Sequence, residues 1–146
     1  MSSLVSTLLR TRVAVGPLDL DGGDLVALAP LVVSLVAGLL AWPALHAEMA
    51  VHFSGGQPDR YMPRSVAVWL VPAIGLAAVA VVRQRAQDAP AFRAAVTGFV
   101  GWVVAIAHLY VLAWNLGVRV STLVVLVPAL GGAVLLVVAQ KTRLLS

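Results

Sequence analysis

The 146-residue chain contains no cysteine, which excludes a disulfide framework, a thiolate metal site and a cysteine nucleophile. Charge is scarce as well: Asp, Glu, Lys and Arg together supply 11% of the residues, against about a quarter in an ordinary soluble domain. So few charges cannot cover the surface of a soluble domain of this length. No His-Glu-x-x-His pattern occurs, which removes the common zinc-peptidase arrangement of two histidines one helical turn apart. No Ser/His/Asp set has a spacing that suggests nucleophilic catalysis, and Gly55-Gly56 lacks the surroundings of a phosphate-binding loop.

What the chain does have is apolar length. Hydrophobic residues make up 61%, in blocks about 20 residues long, enough to cross a hydrocarbon core of roughly 30 Å. The expected fold is all-α, a polytopic membrane protein with four transmembrane helices in one bundle. The spans are expected at about 25–45, 65–82, 94–114 and 120–139, forming a membrane domain over residues 25–146. Residues 1–24 read as a short amphipathic, cytoplasmic lead-in. There Leu4, Val5, Leu8 and Leu9 recur at helical spacing before Arg10 and Arg12, the pattern of a helix lying on a membrane surface. It is a poor signal peptide, because the apolar run is short and the arginines follow it. Asp19, Asp21 and Asp24 lack the ligand spacing and closing Glu of a calcium loop, so Asp24 is expected to cap the first span. Pro72, inside the second span, is expected to kink it.

The formal charge of +4 does not point to nucleic acid, because the basic residues flank apolar runs instead of forming a stripe. Arg10, Arg12, Arg83, Arg85, Arg93, Lys141 and Arg143 fall on one side of the expected bundle, and only Arg60, Arg64 and Arg119 on the other. That bias predicts a multi-pass protein of the cell membrane with cytoplasmic termini and an external first loop. Small residues mark where helices approach closely in lipid. Ala94, Gly98, Gly101 and Ala105 step by four, three and four along one face of the third span. Shorter versions are expected at Ala73 and Ala77 in the second span, and at Ala129 and Ala133 in the fourth.

His108 continues the face of the third span three residues after Ala105. An ionisable residue at that depth is either a functional group or a neutral imidazole hydrogen-bonded across helices, and the second reading is favoured. His46, Glu48 and His52 invite a zinc reading, but the histidines are six apart and do not converge on a helix. No metal and no cofactor are expected.

The most distinctive stretch is polar, from His46 to Arg64, where glycines, prolines, charges and aromatics crowd between two apolar runs. Gly55-Gly56-Gln57-Pro58-Asp59 is rich in turn formers, and Phe53 and Tyr61 suit anchorage at the interface. A plain connector needs only a few residues, so an ordered, functional loop is the expectation.

Val51-His52-Phe53, then Gly56-x-Pro58-Asp59-Arg60-Tyr61 and Arg64, followed by a span containing Pro72, resembles the N-terminal two-helix domain of SdpI-like membrane proteins. The resemblance covers about residues 31–82. His46 and Ala50 stand where that pattern usually has prolines, and full SdpI-like proteins have more spans. The resemblance implies immunity against, or sensing of, a secreted antibacterial toxin. It places the site at His52, Phe53, Gly56, Pro58, Asp59, Arg60 and Arg64, to which the local chemistry adds Tyr61. The leading expectation is therefore a non-catalytic membrane protein in contact with the lipid bilayer, recognising a peptide or protein partner through residues 46–64. The alternative is a small transport or accessory subunit of a membrane complex, in which His108 and the prolines line a polar path. Four short helices would then need a homo-oligomer. A metal-dependent or intramembrane enzyme ranks third.

Overall fold

A computed structural model describes residues 12–15, 18–85 and 90–144. Within them run β1 (Arg12–Val15), β2 (Leu18–Asp21), α1 (Gly22–Ala41), a 3-10 turn (Trp42–Ala44), β3 (Glu48–Ser54), β4 (Gln57–Pro63), α2 (Arg64–Arg85), α3 (Pro90–Asn115) and α4 (Leu123–Leu144). All four α-helices are long and apolar enough to cross a membrane. The fold is that of a four-helix polytopic membrane protein with two small β-hairpins.

The spans fall where the apolar blocks predict them, with ends displaced by a few residues. α1 begins at Gly22, three residues earlier than expected, because Asp21 and not Asp24 is the N-cap. Asp21 is extended (φ −89°, ψ 171°) and accepts from the Asp24 amide at 3.0 Å. Asp24 reaches back to the Asp21 amide at 3.1 Å. This reciprocal capping box satisfies two donors that the first helical turn would leave orphaned. α4 begins three residues later than expected, after Ser121 accepts from the Leu123 amide at 3.3 Å. The expected surface helix with Leu4, Val5, Leu8, Leu9 and Arg10 lies outside the described residues. Arg12, assigned to that helix, instead belongs to β1, which pairs antiparallel with β2 from Arg12↔Asp21 to Val15↔Leu18.

α3 is the hub. It packs against α1, α2 and α4, while α4, among the described residues, packs mainly on α3 and keeps its apolar stretch unburied, as lipid contact requires. The small-residue face of α3 makes the approach to α1. At Gly101 an added Cβ would stand 2.2 Å from the Ala27 carbonyl oxygen, and at Gly23 of α1 it would stand 2.8 Å from the Ala94 Cβ. The companion faces differ from expectation. Ala73 and Ala77 point outward, whereas Val68, Pro72, Gly75 and Val79 are buried. Gly75 is the contact because Leu31 and Val104 fill the space its missing side chain leaves. In α4 the close contact is Gly132 against the Phe99 ring, and Ala133 is exposed. α2 runs unbroken from Arg64 to Arg85 with Pro72 buried inside it.

Two buried clusters result. Ala27 and Leu31 of α1, Val79 of α2 and Ala105 of α3 pack together. Leu45, Met49, Ala67, Val68, Tyr110, Val111 and Leu112 form the larger one, where the second hairpin meets the bundle.

Candidate functional site

The expected loop is a β-hairpin. β3 and β4 pair antiparallel from Glu48↔Pro63 to Ser54↔Gln57. The turn between them is Gly55-Gly56, with φ +57° and +77°. A two-residue turn with both residues left-handed matches the twist of the strands, and glycine adopts that conformation without a Cβ clash.

Two sets of contacts dock this hairpin on the bundle. Phe53 inserts edge-on between Tyr110 and Trp114 of α3, with ring centroids 5.1 Å apart in each pair, a favourable geometry for the ring quadrupoles. Met49 is fully buried. Asn115, the last residue of α3, accepts from the Ala50 amide at 2.8 Å and donates to the Ala50 carbonyl at 2.9 Å and to Val111 O at 2.8 Å. Arg64 supplies the second set. Its Nη1 donates to the carbonyls of Trp42 at 3.2 Å and Leu45 at 2.9 Å, and its guanidinium lies over the Trp42 ring at 5.2 Å. The Trp42 carbonyl also accepts from the Leu45 amide at 3.3 Å, so Arg64 reinforces the last turn where the chain leaves the helix.

The sequence-derived site residues therefore divide in two. Phe53 and Arg64 are anchors, spent on holding the hairpin, and Pro58 is half-buried in β4. His52, Gly56, Asp59, Arg60 and Tyr61 are displayed. Among the displayed residues His52 and Asp59 form a pair, Nδ1 to Oδ1 at 2.6 Å, with side chains 63% and 44% exposed. The ladder is irregular on both sides of His52, and this lets the imidazole reach Asp59 instead of its paired neighbour Arg60. With Nδ1–H donated to the carboxylate, Nε2 is the nitrogen left for a ligand. Beside the pair lies a groove of about 660 Å³ whose walls include Val51, Phe53, Tyr110, Val111, Val125 and Leu126, with His52 and Thr122 as polar members. The turn end of the hairpin is thus laid along the flank of α3 and α4.

His46, Glu48 and His52 do not gather into a metal-ligand set among the described residues. His108 stands apart from the hairpin site. It is fully buried, and its Nδ1 meets Ser34 Oγ of α1 at 3.2 Å. The single Ser34 proton goes to the Leu31 carbonyl at 2.9 Å, so Ser34 accepts from Nδ1–H. Nε2 then carries the lone pair, and it has no hydrogen-bond partner among the described residues. The interhelical bond expected of a neutral histidine is present.

Sequence reasoning missed Asn115, Tyr110 and Trp114, which are the floor of the site. It also missed an ionic cluster at the opposite end of the bundle. Arg83 of α2 meets the nearly buried Asp24 at 2.6 Å, and Arg93 of α3 pairs with Asp21. Arginines read from the sequence as topology signals are there also the ties that hold α1 to both neighbours.

The fold and this docked hairpin define a class, the small polytopic helical membrane protein with an ordered β-hairpin between its first two spans. Residues 30–76 match the model of a domain of unknown function, DUF1648. That segment runs from within α1, through the whole hairpin, to the middle of α2, and carries every hairpin site residue. The α3 residues against which the hairpin is docked lie outside it. No curated protein and no solved structure matches the chain.

Proposed function

We propose that the protein is a multi-pass protein of the cell membrane, with cytoplasmic termini, that works by recognition at the second hairpin and not by catalysis. The observation that carries this reading is the displayed His52–Asp59 pair at the edge of an apolar groove. Such a site offers directed polar contacts beside a surface for apolar side chains, which suits a peptide or protein segment that is itself amphipathic. Arg60 and Tyr61 stand exposed on the same hairpin and add a charge and a ring. The proposed purpose is immunity against, or sensing of, a secreted toxin, a reading supported by the resemblance of the hairpin sequence to SdpI-like proteins.

The test is protection. Cells producing the wild-type chain should survive exposure to medium from toxin-secreting neighbours better than cells producing Asp59→Ala at equal membrane abundance. Equal protection by both would remove the His52–Asp59 pair from the mechanism. No protection by either would end the immunity reading. Orientation is tested separately. Because the chain lacks cysteine, Ser54→Cys places a single thiol at an exposed hairpin position, to be labelled in intact cells by a membrane-impermeant reagent. Labelling only after lysis would put the hairpin inside the cell and the termini outside.

A transport or accessory role is the second reading, and the Nε2 of His108, without a partner among the described residues, is what favours it. Buried acceptors of that kind are uncommon and costly. In that role the chain would work as a homo-oligomer. Undiminished flux or complex activity in His108→Ala would leave the histidine as an interhelical tie to Ser34.

A further inference from the structure

At the open end of the same hairpin, away from the turn, lies a second basin of about 450 Å³. It is walled by His46, Glu48, Tyr61, Trp114 and Arg119, with Asn115 at its floor. We propose that this basin holds the headgroup of a phosphatidylethanolamine lipid, with the phosphate on Arg119 and the primary ammonium on Glu48.

Charge is the first ground. The basin carries one cation and one anion that are not spent on each other, since neither Arg119 nor Glu48 has an ion-pair partner among the described residues. Two opposite charges on one cavity wall, unpaired across it, complement a ligand that is itself a zwitterion. Arg119 is also oriented. Its guanidinium lies over the Trp114 ring, 4.2 Å from the centroid, so stacking takes its face and leaves its N–H edge for an anion. The planar N–H fork matches phosphate oxygens, and His46 adds a further ring nitrogen.

Depth is the second ground. Trp114 and Asn115 close a helix long and apolar enough to span the membrane, so the basin lies at the end of a span. Tryptophan and tyrosine collect at that level, where lipid headgroups reside. A volume of this size falls within the range of small-molecule sites, about 300–1,000 Å³.

Ethanolamine is favoured over choline for a stated reason. A carboxylate such as Glu48 accepts hydrogen bonds, and a primary ammonium donates them while a trimethylammonium cannot. An aromatic cage would favour choline, but one face of Trp114 is already covered by Arg119, which leaves the open cage incomplete. A lipid carrying only a phosphate and a neutral alcohol would leave Glu48 facing an anion without compensation.

The experiment uses the full chain in nanodiscs containing equal parts of phosphatidylethanolamine, phosphatidylcholine and phosphatidylglycerol. The protein is then released into mild detergent, and the lipid it keeps is identified by native mass spectrometry. Wild-type protein should keep phosphatidylethanolamine preferentially. Arg119→Ala and Glu48→Gln should each lower that retention about tenfold or more, the loss expected for one charge-assisted hydrogen bond. Both positions are exposed, and equal helical circular dichroism would show that the variants still fold. Equal retention of the three lipids, preference for phosphatidylglycerol, or unchanged retention in both variants would each overturn the proposal. Free O-phosphoethanolamine separates the two sources of this chemistry. Displacement of bound lipid by it supports headgroup recognition, whereas binding of the free compound by a protein that keeps no lipid would make the ligand a soluble one.

Discussion

Two glycines three residues apart on the same face of α3 should respond to the same substitution with opposite sign. At Gly98 an added Cβ would lie 3.6 Å from Val26 Cγ1, an ordinary contact, while at Gly101 it would lie 2.2 Å from the Ala27 carbonyl oxygen and 2.8 Å from its carbon. Alanine is favoured over glycine inside a helix by about 1 kcal/mol. Gly98→Ala should therefore be neutral or stabilise by up to that amount. Gly101→Ala gains the same propensity but leaves the Cβ more than roughly 1 Å short of van der Waals distance. The obstacle is backbone, so no side chain can rotate away. α1 and α3 must separate, and a gap of 0.5–1 Å forfeits about a quarter to a half of the dispersion well for the contacts across it. Overpacking of this kind costs about 1–3 kcal/mol, occasionally more. Set against the propensity gain, a net loss of up to about 2 kcal/mol follows, so the two variants should differ by about 1–3 kcal/mol. Reversible unfolding of the purified protein in mixed micelles, titrated with a denaturing detergent, would measure both. Equal midpoints for the two variants would refute the claim that α1 and α3 are in backbone contact at Gly101.

Three further outcomes follow from the other contacts. Asn115→Ala strips partners from both polar groups of the buried Ala50. It should cost about 2–4 kcal/mol and raise amide exchange across Glu48–Pro63, and unchanged protection in that peptide by mass spectrometry would contradict the docking. Asp24→Asn should destabilise by about 1–2 kcal/mol, because it weakens an ion pair nearly buried on the Asp24 side and one-third exposed on the Arg83 side. The same loss in an Arg83→Gln background would show that the two residues are not coupled. Phe53→Ala should cost about 2 kcal/mol, less than for a fully buried phenylalanine because the ring is half-buried, and loosen the hairpin, read as increased protease cleavage at Gly55-Gly56 with the helices intact.

The four spans were legible because lipid imposes a length and a composition that survive any change of neighbour. So was the face of α3 bearing Gly98, Gly101, Ala105 and His108, since a repeat of three and four residues needs only helical geometry. The facing surface of α2 was not legible. Ala73 and Ala77 make as good a small-residue pair as any, and only the observed rotation of α2 brings Gly75 to Leu31. The hairpin could have been read from Gly55-Gly56 between polar and aromatic residues, a recognised two-residue turn signal. Pro58 and Pro63 argue against a strand, but they are tolerated here because both lie on β4, whose outer rim carries no further strand among the described residues. Asn115 looked like a simple turn former, and its pairing with Ala50 spans 65 residues. The Asp24–Arg83 and Asp21–Arg93 pairs span 59 and 72. Local pattern carries no trace of such distances, and a cap and a salt-bridge partner look alike until the helices are in place.

The bond between Asn115 and Ala50 also bears on what can join the hairpin. Ala50 faces Tyr61 in the ladder, yet both of its main-chain groups turn away from β4 and toward α3. They lie on the outer rim of β3, where a further strand would otherwise find a donor and an acceptor waiting. The Asn115 amide fills both places as a third strand would. Main-chain pairing with another polypeptide is therefore blocked at the middle of β3, and a strand added to this sheet has to build on the rim of β4, beside Arg60 and Tyr61.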